Sequence, residues 1–325
     1  MSALRLMVAG VGHMGRLHAQ KVAERARAGD DVRLVGVADA NAERAQAVAA
    51  ELGTRAVTDP RDLFGEADAA IIAVPTVAHF GLCTAALESG LDVLVEKPIA
   101  ATLQEAEGLV ELATRRGRVL QVGHQEWFNA AMQVVRDWIT TPRFAEIHRL
   151  GPFPERSTDV DVVRDLMIHD IEILQKLLGE EPAKVDAVGV PVITDHVDIA
   201  NARLTFASAC VANLTASRVS AAPMRKFRLF QRDAYFSIDF LAQKAALFRR
   251  FPSADGGPPR IDFEDLKTDS GDALVAQLGL FAEATRTRSA SGGEGGRGVT
   301  GAEGVAALRT ALRVIEAMPP LDGLS

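Results

Sequence analysis

The chain has 325 residues, 48% hydrophobic and 24% charged, as expected for a globular protein of about two domains. Its formal net charge of -7 argues against nucleic acid or an anionic membrane as a partner, and no Lys/Arg-rich run suggests otherwise. Cys83 and Cys210 lie far apart without CxxC spacing, so a cytoplasmic location is expected rather than a disulfide framework.

Residues 4–9 form a short apolar run that ends in glycines, which reads as a first strand and not as a signal peptide. No segment approaches the ~18 consecutive apolar residues of a membrane span. Residues 16–28 are rich in helix formers. Residues 32–38 are a second apolar run, and 42–52 a helix. Residues 69–74 (AAIIAV) are a third strand, 78–88 a helix, 92–95 a strand, 103–116 a helix capped by Thr102, and 119–122 another strand. Strands alternating with helices imply a parallel sheet covered on both faces.

Beyond Gly123 the pattern changes. Helical segments are predicted at 129–139 and 161–178. Strands follow at 185–192, 199–206, 210–218, 226–231, 234–240 and 245–251. In NARLTF and VANLTAS the residues Asn201, Arg203, Thr205 and Asn213, Thr215, Ser217 take one face, as in an antiparallel sheet with one buried and one polar side. Residues 289–298 are flexible by composition. They lead to Thr300 and Glu303, a capping-box pair opening a last helix. The expected organisation is an α/β domain over residues 1–122 and an α+β domain over 123–325. The last helix, about 301–317, is a candidate to pack back on the first domain.

The stretch AGVGHMG matches G-x-G-x-x-G at Gly10, Gly12 and Gly15, between a strand and a helix. Gly10 permits the tight turn, Gly12 lets backbone N–H groups approach a pyrophosphate, and Gly15 lets helix and strand pack closely. Val11, His13 and Met14 complete the loop, and the helix start would hold the phosphates. Asp39 ends the second strand. A carboxylate there accepts from both ribose hydroxyls and repels a 2′-phosphate, which favours NAD over NADP. The alternative is a glycine turn with an aspartate cap and no ligand. Glu96-Lys97-Pro98 ends another strand at the sheet edge where α/β proteins bind ligands. Ala73, Pro75 and Thr76 in AVPTVAH end a neighbouring one, with His79 just beyond. Taken singly, Lys97 is more often a surface lysine and His79 more often structural.

RDLMIHDIEIL, from Arg164 to Leu174, sets His169, Asp165, Asp170 and Glu172 among apolar residues. Asp165 and His169 are i and i+4 and share a helix face. A histidine is suited to removing a hydroxyl proton near neutral pH, and a nearby carboxylate orients its ring. Leu166, Ile173 and Leu174 are expected in the core, with Met167, Ile168 and Ile171 on the flanks. The alternative for Asp165 and His169 is a solvated pair. No second histidine stands at metal-ligand spacing, so no metal is expected.

Together GVGHMG, Asp39, AVPTVAH, EKP, VGHQEWFN and DLMIHD resemble the glucose–fructose oxidoreductase / inositol dehydrogenase / rhizopine-catabolism family of sugar dehydrogenases. The resemblance implies a Rossmann domain followed by a large, mostly antiparallel open sheet. It implies NAD as cofactor and a homodimer or homotetramer formed through that sheet. It assigns catalysis to Lys97, Asp165 and His169, and cofactor contacts to the glycine loop, Asp39, Ala73, Pro75, Thr76, His79, Glu96 and Lys97. Gln125, Trp127 and Arg156 join the catalytic three as substrate-binding residues. Within the family, residues 159–174, 198–220 and 224–240 are similar to a subgroup that oxidises the 3-hydroxyl of UDP-N-acetylglucosamine for lipid A precursor synthesis. Arg156 and Lys226 are available for its phosphates. Related chains often carry arginine where this one has Trp127. A free sugar or inositol dehydrogenase and a non-catalytic NAD-binding regulator are the other readings.

Overall fold

The computed structural model describes residues 3–153, 160–253, 257–268, 271–289 and 298–320. The chain divides into two compact units. One comprises Met1–Gln125 with Leu274–Val305, the other Glu126–Ala273 with Ala306–Ser325. Of the described residues near the C-terminus, 274–289 and 298–305 therefore group with the first unit and 306–320 with the second.

The first unit contains β1 (Leu4–Ala9), α1 (His13–Arg27), β2 (Val32–Ala38), α2 (Ala42–Leu52), β3 (Arg55–Val57), β4 (Ala69–Ile72), α3 (His79–Glu88), β5 (Asp92–Glu96), α4 (Leu103–Arg116) and β6 (Leu120–Gly123). Its strands form one parallel sheet in the order β3-β2-β1-β4-β5-β6. β4 and β5 are buried throughout, which is why residues 69–72 and 93–95 read as unbroken apolar runs. The strand order reverses between β1 and β4, opening a crevice at their carboxyl ends. Local signals set the helix ends. The Asn41 side chain accepts from Arg44 N to start α2, and Gly53 ends it at φ 67°. Thr102 and Glu105 form a reciprocal capping box on α4.

The second unit contains α5 (Ala130–Gln133), β7 (Pro142–Leu150), α6 (Ile168–Leu178), β8 (Lys184–Val190), β9 (Ile199–Thr205), β10 (Val211–Ser217), β11 (Met224–Gln231), β12 (Ala234–Asp239), β13 (Lys244–Phe251) and β14 (Arg260–Leu266). The helix expected over 129–139 is only α5 followed by a 3-10 turn, Arg136–Trp138. The eight strands run β14-β13-β12-β11-β7-β10-β9-β8, with β7–β10 parallel and every other pair antiparallel. One face buries Ala145, Ile147, Leu204, Leu214, Phe227 and Phe236. The other carries the hydrogen-bonded pairs Asn201–Thr215 and Arg203–Asn213 and a row of rings, Phe144–Phe230–Tyr235–Phe248–Phe263. Ser217, expected on the polar face, is buried at the strand end. The chain closes with α7 (Ala273–Thr287) and α8 (Gly301–Glu316). α7 buries Leu278, Phe281 and Ala282 among Leu4, Leu6 and Val22 of the first unit. Glu303 and Thr300 cap α8 as expected. Residues 290–297 of the glycine-rich stretch lie outside the described residues.

α6 is preceded by a π-helical turn, Val163–Met167. Asp161 holds its start, accepting from Val163 N and Arg164 N and from the Arg164 guanidinium. Every residue from Ile168 to Gln175 is buried, so α6 is not amphipathic. Met167, Ile168 and Ile171, expected on the flanks, are fully buried core, and Leu166 is half-buried.

A second ionic clamp holds the entry to this segment. Arg218 donates to Asp198 at 2.7 Å and to the Val160 carbonyl at 2.7 Å. Asp198 also accepts from the backbone N–H groups of Val192, Ile193 and Thr194. Burial works to raise the Asp198 carboxyl. The Ile193 and Thr194 N–H groups, the Arg218 guanidinium and the Thr194 hydroxyl outweigh it and hold the carboxyl far below the usual range. Its folded value lies below its unfolded one, so its stabilisation is complete above about pH 4 and fades as pH falls toward the folded value. Asp198→Asn should cost about 3–5 kcal/mol in urea unfolding at pH 7, and the gap to wild type should narrow below about pH 4.

Candidate active site

The first unit presents a phosphate cradle. Gly10 has φ +80°, and a Cβ on it would lie 2.6 Å from the Ala73 carbonyl oxygen. A Cβ on Gly15 would lie 1.7 Å from the Gly10 carbonyl oxygen. A Cβ on Gly12 would meet nothing within 4 Å, so space opens where a pyrophosphate would approach. Gly12 caps α1 with no side-chain hydrogen bond, and the first turn holds no acidic residue. The N–H groups there suit an anion. Asp39 accepts from Val11 N and from Asn41 N, each at 2.9 Å, and Arg44 Nη1 stands 3.4 Å away. The carboxylate expected to hold the ribose thus also braces the loop. These residues fit NAD.

At the next two strand ends the structure reassigns side chains. His79 is buried, with Nδ1 at 2.9 Å from the Pro98 carbonyl oxygen and Nε2 at 2.9 Å from that of Val74. The neutral ring carries one N–H, so it donates to one of these carbonyls, and the imidazole lies between the exits of β4 and β5. Burial lowers its pKa, against the pull of those carbonyls. Glu96, also expected at the cofactor, turns inward, where Oε1 lies 2.7 Å from His18 Nε2. A Cβ on Gly123 would sit 2.8 Å from the Glu96 carboxylate, so that glycine makes its room. Lys97 is half-buried just beyond, Thr76 is half-buried and Pro75 exposed. His18 escaped the sequence reading, although a histidine beside buried Ala19 and Val22 signals a polar partner inside.

In the second unit Asp165 is half-buried in the π turn, and His169 is buried in the first turn of α6. Such turns occur often at functional sites. Asp170, next to His169, accepts from two of the three Arg149 nitrogens, Nε at 2.9 Å and Nη2 at 2.7 Å. Arg149 Nη1 reaches Glu126 Oε1 at 2.8 Å. Burial opposes the Arg149 charge, but Asp170 and Glu126 outweigh it and raise the pKa above the ordinary arginine value. Glu172 is buried farther along the helix. Trp127, expected at the substrate, is a core residue, buried to 3% with Lys176 Nζ 5.3 Å above its ring. Gln125 is half-buried in the first unit, and Arg156 lies outside the described residues. Among the described residues, no three His, Cys, Asp or Glu gather in a way that could hold a metal, and no helix is long and apolar enough to cross a membrane.

Comparison with known proteins agrees with this architecture. Residues 4–124 match the model of an oxidoreductase family with an NAD-binding Rossmann fold, and 132–236 match the GFO/IDH/MocA C-terminal domain. The chain is 42% identical over 282 residues to a UDP-N-acetylglucosamine 3-dehydrogenase from Acidithiobacillus ferrooxidans, covering 86% of this chain and 88% of the relative. A solved structure of that enzyme superposes with a TM-score of 0.88 at 39% identity, covering 98% of each chain. An inositol 2-dehydrogenase from Rhizobium meliloti is 29% identical over 58% of this chain and 59% of its own length. A levoglucosan dehydrogenase in complex with NADH shares the fold at a TM-score of 0.85 and 18% identity, covering 97% of each chain. With a Rossmann sheet, its glycine cradle and an eight-stranded second sheet matched along nearly its whole length, the chain belongs to the GFO/IDH/MocA family of NAD-binding oxidoreductases.

Proposed function

We propose that this protein oxidises the 3-hydroxyl of UDP-N-acetylglucosamine to a ketone, with NAD accepting the hydride. The observation that carries this reading is the 42% identity with a UDP-N-acetylglucosamine 3-dehydrogenase across 86% of the chain. NAD, when bound, supplies the hydride acceptor. His169 removes the hydroxyl proton as general base, and Asp165 orients the imidazole and stabilises its charged form. Lys97 donates a hydrogen bond to the same oxygen and favours its developing negative charge. We expect the enzyme in the cytoplasm, as a homodimer or homotetramer whose copies meet on the sheet face bearing Asn201, Arg203, Asn213 and Thr215. The presence of Lys97, Asp165 and His169 together speaks against a non-catalytic NAD-binding regulator.

NAD reduction should be titrated against UDP-N-acetylglucosamine, myo-inositol and glucose. Turnover of the UDP-sugar is expected. Turnover of a free polyol alone would assign the enzyme to the other branch of the family, and NAD binding without any turnover would favour the regulator. For the cofactor, Asp39→Ser should raise KM for NAD by about 10–100-fold, because charge-assisted bonds to the ribose hydroxyls are lost. Discrimination against NADP should shrink as the repelling charge goes and Arg44 remains beside the site. Unchanged kinetics with both cofactors would remove Asp39 from the ribose site.

A further inference from the structure

A nucleotide-sugar brings two phosphates, for which the sequence suggests Arg156 and Lys226. Arg156 lies outside the described residues. Lys226 is on the sheet face away from α6, where it pairs with Asp239 at 2.7 Å across the β11–β12 register. The α6 side of the sheet offers a different arrangement. Arg149 of β7 and Arg225 of β11 are direct register partners and so emerge on the same face. Arg149 is committed to Asp170 and Glu126, all three being enclosed. Arg225 is not. Its side chain is 42% exposed, and among the described residues it makes one side-chain hydrogen bond, from Nη1 to Glu126 Oε1 at 2.8 Å.

Glu126 Oε1 therefore serves both arginines. Asp170, Arg149, Glu126 and Arg225 form a continuous ionic chain, and its inner end is the residue next to His169. The enclosed members are held by bidentate or short charged bonds, so the chain has little freedom. Its outer end is a guanidinium held through Nη1, with Nε and Nη2 making no hydrogen bond among the described residues. Planar, paired donors of this kind match phosphate oxygens.

We propose that Arg225 is a substrate-binding residue that takes the diphosphate of the nucleotide-sugar, with Glu126 and the Arg149–Asp170 pair fixing its distance from His169. The proposal rests on the UDP-N-acetylglucosamine reading. A phosphate held at one end of a stiff chain places the sugar hydroxyl reproducibly at the other, where the base stands.

The test measures steady-state kinetics with UDP-N-acetylglucosamine, and UDP binding by calorimetry, on the full chain and three variants. Arg225→Ala should raise both the KM for the UDP-sugar and the Kd for UDP by about 10–100-fold. The KM for NAD should stay within about twofold, and kcat should fall by a smaller factor than the KM for the UDP-sugar rises, because the anchor also positions the hydroxyl. Arg225→Lys should recover part of the affinity through its retained charge. Glu126→Gln keeps the arginine but loosens it, and should lose less than Arg225→Ala. Unchanged UDP affinity in Arg225→Ala would overturn the proposal. So would a Glu126→Gln loss as large as that of Arg225→Ala with no rescue by lysine, because the effect would then lie in the network. A wild-type protein that binds UDP through Arg225 but does not oxidise the UDP-sugar would sink the functional reading and leave the anchor. A wild-type protein that oxidises it with the Arg225→Ala variant unimpaired would do the reverse.

Discussion

Replacing His169 with alanine is expected to lower kcat by about 10²–10⁴-fold, the range for loss of a positioned general base. The change should fall on turnover and not on cofactor affinity, since the glycine cradle and Asp39 belong to the first unit. NADH binding, followed by fluorescence, should stay within about twofold. His169→Gln should be equally slow, since an amide fills the space without taking a proton. Full turnover in either variant would assign the base to another residue. On the proposed assignment Asp165 orients the ring without accepting the proton, so Asp165→Asn should give a smaller loss.

Gly15→Ala is expected to weaken NADH binding by at least about 10–100-fold. The new Cβ would stand 1.7 Å from the Gly10 carbonyl oxygen and 2.8 Å from its carbon. Both are backbone atoms, so the turn itself must move. Gly10 is already held at φ +80° against Ala73, and the displacement passes to the N–H groups that would meet the pyrophosphate. Gly12→Val is the companion variant. A Cβ there meets nothing within 4 Å, so the fold should persist while a side chain fills the ligand's space. Loss of NADH binding in Gly12→Val with unchanged thermal unfolding would place the ligand against this loop. Undiminished binding in both variants would mean that the cofactor does not sit there.

Legibility varied along the chain for identifiable reasons. α2 and α4 were predicted to the residue because their caps are local, Asn41 with Gly53 and Thr102 with Glu105. β3 was missed because three residues carry no periodicity. β7 was missed although it lies in the middle of the second sheet. Its inward positions are Ala145, Ile147 and Arg149, and an arginine breaks the apolar alternation that marks a strand. Asp170 and Glu126, distant in sequence, make a buried arginine tenable there. β14 was missed for the opposite reason. It is an edge strand with charged residues, and Ile261 and Phe263 remain exposed.

The sequence by itself determined a parallel α/β sheet followed by a mostly antiparallel one, and it marked the candidate chemistry-bearing positions. Strand–glycine–helix order, the acid after β2, the lysine after β5 and the Asp165–His169 spacing are all short-range patterns, set by backbone geometry within a few residues. Tertiary structure alone decided what the neighbouring polar groups do. Glu96 turns from the cofactor to His18, and His79 joins two strand exits. Asp170 finds Arg149, and Trp127 goes into the core beneath Lys176. A buried charge or ring nitrogen must find a partner to offset its lost hydration. That partner is supplied by whichever strand or loop folding brings alongside, a choice that no local pattern encodes.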